Sequence, residues 1–133
     1  MKALFIEDTP QDMTLILRRL AKDGLDIEAL RVASLPDLVK ALESSWDIIL
    51  SDYSLAGFTA VEVLQTIQAH HVQTPVIVIS SELSDESAVD LMRNGAADFV
   101  RKENPQRLGP AIRREIQNAK DRARHEEQIK AND

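Results

Sequence analysis

Five times along this chain a short apolar run ends at a polar side chain and gives way to a helical pattern. The runs are Ala3-Leu4-Phe5-Ile6, a weaker one from Asp26 to Ala33, Ile48-Ile49-Leu50, Val76-Ile77-Val78-Ile79, and Ala97 to Val100. Continuous apolar runs of this length read as strands buried on both faces, because neither face meets water. Strands alternating with helices across short loops imply a parallel sheet with right-handed crossovers and helices on both faces. The 133 residues suit one domain of this kind, long enough to bury roughly two thirds of its unfolded surface.

The segments between the runs carry helix signals. Thr9-Pro10 supplies an N-cap and a first helical residue, ahead of Met13, Ile16, Leu17 and Leu20 at helical spacing; Gly24 ends that helix. Ser34 caps a helix bearing Leu35, Leu38, Val39 and Leu42, and Thr59 one bearing Val61, Val63, Leu64 and Ile67. Ser84 caps a helix with Ala88, Val89, Leu91 and Met92, stopped at Asn94-Gly95. Asn104-Pro105 opens a long last helix with Leu108, Ile112 and Ile116 on one face.

Composition excludes several classes. With no cysteine there is no disulfide framework and no thiolate metal site, which suits a reducing cytoplasm. No apolar run approaches the ~20 residues that span a bilayer, and the N-terminus turns acidic too soon for a secretion signal. Residues 1–100 carry seven Lys/Arg against sixteen Asp/Glu, and residues 101–133 carry nine against six. An acidic body argues against nucleic acid as a direct partner. The mixed charges of the tail read as a solvated helix face.

The ends of the apolar runs hold the chemistry. Glu7 and Asp8 follow the first, Asp52 the third, Ser80 the fourth and Lys102 the fifth. In a parallel sheet all five side chains converge on the carboxyl edge, where ligands of open α/β sheets bind. Singly each has a bland reading: a helix-start acid, a turn aspartate, a loop serine, a solvated lysine. Four strand ends carrying matched groups outweigh those readings together. Ionised carboxylates ~4 Å apart repel by about 4 kcal/mol at an effective dielectric of 20. Either they hold protons or a cation sits among them, and all-oxygen donors suit Mg²⁺. A carboxylate beside Mg²⁺ can attack a phosphoryl group, with Lys102 and the Ser80 hydroxyl helping to neutralise its oxygens.

These residues resemble the receiver domain of two-component response regulators over about residues 2–119. The matching features are Glu7-Asp8, the motif Asp52-Tyr53-Ser54-Leu55, Ser80 after its β-branched run, Gly95-Ala96, and Lys102 after Phe99-Val100-Arg101. The resemblance implies a flavodoxin-like doubly wound five-stranded sheet in the order 2-1-3-4-5. It implies that Asp52 accepts a phosphoryl group from the phosphohistidine of a sensor histidine kinase or phosphotransfer protein. Mg²⁺ would be held by Glu7, Asp8, Asp52 and the main-chain carbonyl of Ser54. Ser80 and Phe99 would rearrange on phosphorylation and alter the face made by the fourth helix, fifth strand and fifth helix. The chain departs from the family at Ala56, where proline is usual, at Ala60, where glycine is frequent, and at Glu103, where a cis proline is usual. A cis bond without proline costs about 2.5–4 kcal/mol, which weighs toward a trans peptide after Lys102.

Two other readings stay open at this stage. One is a degenerate receiver that acts as a phosphate-independent interaction module. The other is a Mg²⁺-dependent phosphohydrolase with an aspartate nucleophile, although Ser54 stands where such enzymes place a second aspartate. The expected organisation is a receiver domain over 1–119, not an enzyme in its own right, and a polar helical extension or linker over 120–133. Ile112, Ile116, Ala119 and Ala123 keep a 4-3-4 spacing, a short coiled-coil seam fading at Glu126 and Lys130. That seam suggests a further domain or a homodimer through the last helix.

Overall fold

The computed structural model describes residues 1–81 and 84–131, with side chains in the last helix as far as Glu127. Five parallel strands form one sheet: β1 (Lys2–Ile6), β2 (Glu28–Val32), β3 (Ile48–Asp52), β6 (Val76–Ser80) and β7 (Asp98–Arg101). Their order is β2-β1-β3-β6-β7, which is the expected 2-1-3-4-5 for the sheet strands. The two extra labels belong to a small antiparallel hairpin, β4 (Ser54–Leu55) with β5 (Phe58–Thr59). The hairpin is absent from the sequence reading because two-residue strands carry no measurable alternation. Its turn requires φ near +89° at Gly57, a region open to glycine.

Burial explains why three strands are so legible and two are not. Every residue of β6 is buried, as is β3 except Asp52 and β1 except Lys2. β2 lies at the edge with only Val32 buried, so its pattern is diluted by polar residues. The two-residue period of the strands sorts the core into two layers. Leu4, Ile6, Ile49, Val76 and Val78 face α2 (Leu35–Ala41), α3 (Ala60–Ala69) and α4 (Asp85–Arg93). Ala3, Phe5, Leu50, Ile77, Ile79 and Val100 face α1 (Pro10–Lys22) and α5 (Leu108–Ala131).

The helix starts follow the capping logic with one exception. Thr9, Ser34 and Ser84 each accept a hydrogen bond from the backbone N–H three residues on. Thr59 occupies the N-cap of α3 but makes no such bond. Asn104-Pro105 does not open the last helix directly. Pro105–Arg107 forms one 3₁₀ turn, and α5 begins at Leu108. Gly109 and Pro110 are tolerated there, since N–H groups of a first turn have no helical partner to lose.

Three expected core residues are on the surface. Val39 is 38% exposed, Val89 49% and Met92 48%. α2 and α4 bury a narrow stripe, in which Leu38 and Leu91 are fully buried. A residue one or two places away from either points 100° or 200° aside. In α5, Ile112 is fully buried and Ile116 packs against the same layer, so the first half of the expected seam is core. Ala119 is half-buried and Ala123 exposed, while the side chain of Lys130 and residues 132–133 lie outside the described residues. No helix among the described residues is long and apolar enough to cross a membrane.

Candidate functional site

Strand parity decides what meets at the carboxyl edge. Asp52 continues the row of Leu50, and Lys102 continues the row of Val100, so both lie on the layer covered by α1 and α5. The Lys102 Nζ stands 3.4 Å from Asp52 Oδ2. Its main chain is fixed by a 2.8 Å bond from the Lys102 N–H to the Ser80 carbonyl. The structure contains no cis peptide among its described bonds, so Lys102 reaches Asp52 across a trans Lys102–Glu103 link.

The acidic loop after β1 is tied down from both sides. The Glu7 N–H donates to the Val32 carbonyl at 3.1 Å, and Arg31 of β2 donates to the carbonyls of Glu7 at 2.9 Å and Asp8 at 3.4 Å. Glu7 is 4% exposed, and its Oε1 accepts from the Thr9 N–H at 3.4 Å. Asp8 Oδ1 accepts from the Ala56 N–H at 3.3 Å, joining this loop to the hairpin after β3. Asp52 Oδ1 accepts from the Tyr53 N–H at 3.0 Å.

Three groups at this edge carry shifted proton affinities. Burial holds Glu7 above the usual carboxylate range, and the nearby Asp52 charge adds to it. Burial likewise raises Asp52, against the pull of Lys102 and the Tyr53 N–H. Burial alone would lower Lys102; the charges of Asp52, Glu7 and Asp12 outweigh it and hold its affinity up. The edge is therefore a place where negative charge is already costly, and a cation would relieve it.

No three of these acids converge closely enough to close on an ion by themselves, among the described residues. Mg²⁺ does not demand that, because it keeps several waters and uses one or two carboxylates. The donors present are all hard oxygens. Tyr53 accepts from the Ala60 N–H at 2.8 Å, so the Ser54–Thr59 pair beyond it is the non-hydrogen-bonded one of the ladder. The Ser54 carbonyl is thus turned out of the hairpin. The residues present fit the ion.

Ser80 closes β6, 5% exposed, and parity puts it with Val78 and Phe99 on the α4 side of the sheet. Phe99 is half-buried and lines an open groove with Ala88, Val89, Met92 and Arg93. Two site neighbours escaped the sequence reading. Arg31 lies on the weakly patterned edge strand, with no local signal of its contact. Asp12 in the first turn of α1 reads as a helix-start acid, yet its Oδ2 is 3.6 Å from Lys102 Nζ.

A receiver fold with this acid, hydroxyl and lysine edge defines a class of signalling domain. The family model for the response regulator receiver domain matches residues 3–113, and the chain belongs to that family. It is 32% identical over 108 residues to the C4-dicarboxylate transport transcriptional regulatory protein DctD of Pseudomonas aeruginosa, covering 78% of this chain and 22% of the relative. It is also 32% identical over 96 residues to the regulatory protein LuxO of Vibrio vulnificus, covering 71% and 21%. The chain thus spans about a fifth of the length of the curated relatives it matches. Among solved structures, the signal receiver domain of a Luxo repressor protein from Vibrio parahaemolyticus superposes with a TM-score of 0.78 at 27% identity, over 90% of this chain and 92% of that one. The receiver domain of the sensor histidine kinase PA1611 from Pseudomonas aeruginosa shares the fold, with a TM-score of 0.70 at 22% identity over 86% and 96%.

Proposed function

We propose that Asp52 is the phospho-acceptor of this receiver domain, that Glu7, Asp8, Asp52 and the Ser54 carbonyl hold Mg²⁺, and that Lys102 and Ser80 receive the phosphoryl oxygens. The observation that carries the reading is the 3.4 Å approach of Lys102 to Asp52 at the carboxyl edge of the sheet. One Asp52 carboxylate oxygen bonds to phosphorus as the phosphorus–nitrogen bond of a phosphohistidine breaks, and the imidazole leaves with the electron pair. Mg²⁺, when bound, neutralises charge on the transferred group. Lys102 supplies a positive charge on the side of α1 and α5, while Ser80 offers its hydroxyl from the α4 side. The solved PA1611 receiver is described with a magnesium ion coordinated in its active-site cleft, which supports the same ion here.

The donor partner in this reading is a sensor histidine kinase or a phosphotransfer protein, met in the cytoplasm. The chain performs its own phosphotransfer and dephosphorylation and turns over no other substrate. Incubation with Mg²⁺ and a small phosphodonor should add one phosphoryl group by intact mass, labile as an acyl phosphate is. Mg²⁺ at ten times its dissociation constant should stabilise the fold by roughly 1.4 kcal/mol, a rise of a few degrees in Tm. Asp8→Asn should shrink that rise. A chain that gains neither mass nor stability defeats the proposal.

The output in this reading runs through α5. Residues 1–119 form the receiver and 120–133 an extension, a connector that passes the state of the face formed by α4, β7 and α5 to a partner or an attached domain. The α5 helix runs unbroken from Leu108 to Ala131, which supports a rigid connector. The short seam should pair weakly at best. Light scattering with and without residues 120–133, before and after phosphorylation, should show association that depends on both. Identical masses, with amide exchange in the extension unprotected in both states, leave it a solvated helix end.

A further inference from the structure

We propose that Asp12 is a positioning residue that shares Lys102 with Asp52 and thereby restrains phosphoryl transfer to Asp52. The inference rests on the reading of Asp52 as the acceptor. Its basis is a three-point geometry. Lys102 Nζ lies 3.4 Å from Asp52 Oδ2 and 3.6 Å from Asp12 Oδ2, so one ammonium serves two carboxylates at nearly equal range. The two acids differ in surroundings: the Asp12 side chain is 44% exposed and that of Asp52 15%. Lys102 therefore bridges the recess of the site to its rim.

Asp12 is held in place by its own helix. Its backbone N–H donates to Thr9 Oγ1 at 3.4 Å, and Pro10 fixes the first turn of α1. Asp12 and Lys102 also both line the groove between α1 and Pro105, where solvent reaches the pair. An exposed ion pair of this kind adds little to folding stability. Its effect on the site is larger in kind. A phosphodonor brings further negative charge to an edge that already holds Glu7, Asp8 and Asp52. Asp12 repels that donor at the rim and draws Lys102 away from the oxygens it should meet. The charge of Asp12 is felt at Glu7, at Asp52 and at Lys102 alike.

The experiment compares wild type, Asp12→Asn and Asp12→Glu, each with Mg²⁺ and acetyl phosphate, by the initial rate of mass gain. Asp12→Asn should be labelled about two- to fivefold faster at low ionic strength, the range set by an exposed pair and by repulsion at a cleft mouth. Asp12→Glu should return the rate to that of wild type. The gain should shrink in ~0.5 M salt, where the Debye length falls to a few ångströms, and should be smaller with phosphoramidate, which carries less charge. A merely structural role would move Tm and leave the salt and donor dependence untouched. Asp12→Asn labelled no faster than wild type, or Asp12→Glu matching Asp12→Asn, overturns the role of Asp12 and leaves the acceptor assignment standing. A wild type that takes no phosphoryl group removes both.

Discussion

Asp52→Asn will gain no phosphoryl group at position 52 and, with metal chelated, will melt higher than the wild type. The first half follows from chemistry: an amide is not the nucleophile a carboxylate is. The second follows from burial. Asp52 sits with its carboxyl above the ordinary range because desolvation outweighs the help of Lys102 and the Tyr53 N–H. A raised carboxylate binds its proton more tightly folded than unfolded, so its contribution is favourable in acid and is lost as pH rises through the raised value. At neutral pH the wild type therefore carries a penalty that the asparagine lacks, and the variant should melt measurably higher. The gap between the two proteins should close as pH is lowered through the carboxylate range. Glu7, raised first by burial and then by the Asp52 charge, loses the second cause in the variant, so its own penalty also falls and the difference runs in the same direction. Calorimetry in chelator from neutral to mildly acidic pH checks this; a variant that melts lower than wild type at neutral pH contradicts it. Under the proposed reading, acceptor function and stability are opposed at this residue, as is common where a site needs buried charge.

Phe5→Ala should lose about 3–5 kcal/mol, the usual cost of emptying a large aromatic site in a packed core. Phe5 is 1% exposed on the inner strand β1, opposite Leu50 of β3 and Arg31 of β2 in register. It belongs to the layer that seats α1 and α5 through Leu20, Leu108 and Ile112. Domains are stable by only about 5–15 kcal/mol in total, so the change removes a large share. It also loosens the strand that carries Glu7 and Asp8 two and three residues on. Urea unfolding gives the number directly, and a loss under ~1 kcal/mol would mean that the cavity collapses without cost. Phe5→Leu should be much milder, since most of the volume is kept.

The sheet was readable because its inner strands are wetted on neither face. Val76-Ile77-Val78-Ile79 and Ile48-Ile49-Leu50 have no competing interpretation of similar length and composition. The edge strand β2 was readable only as a weaker run, and the two-residue strands of the hairpin not at all. The candidate site was legible where a side chain ends a strand, since topology then fixes its neighbours: Asp52 and Lys102 are fifty residues apart in sequence and 3.4 Å apart in space. Asp12 and Arg31 were hidden because their relevance depends on how α1 and β2 lean over the edge, which no local pattern encodes. Val89 and Met92 were misplaced for a different reason. Four apolar residues within α4 cannot all face a contact that only one stripe of the helix reaches.

The unbroken run of α5 has a geometric consequence. Its 24 residues make a rod of about 36 Å, and the part beyond Ala119 projects about 18 Å of it. A rod of that kind carries orientation as well as distance. Each residue added or removed past Ala119 would turn anything joined to its far end by about 100°. A seven-residue change would nearly restore the original bearing. The spacing of this helix is thus a dial as much as a ruler, and the compass heading it gives is counted in single amino acids.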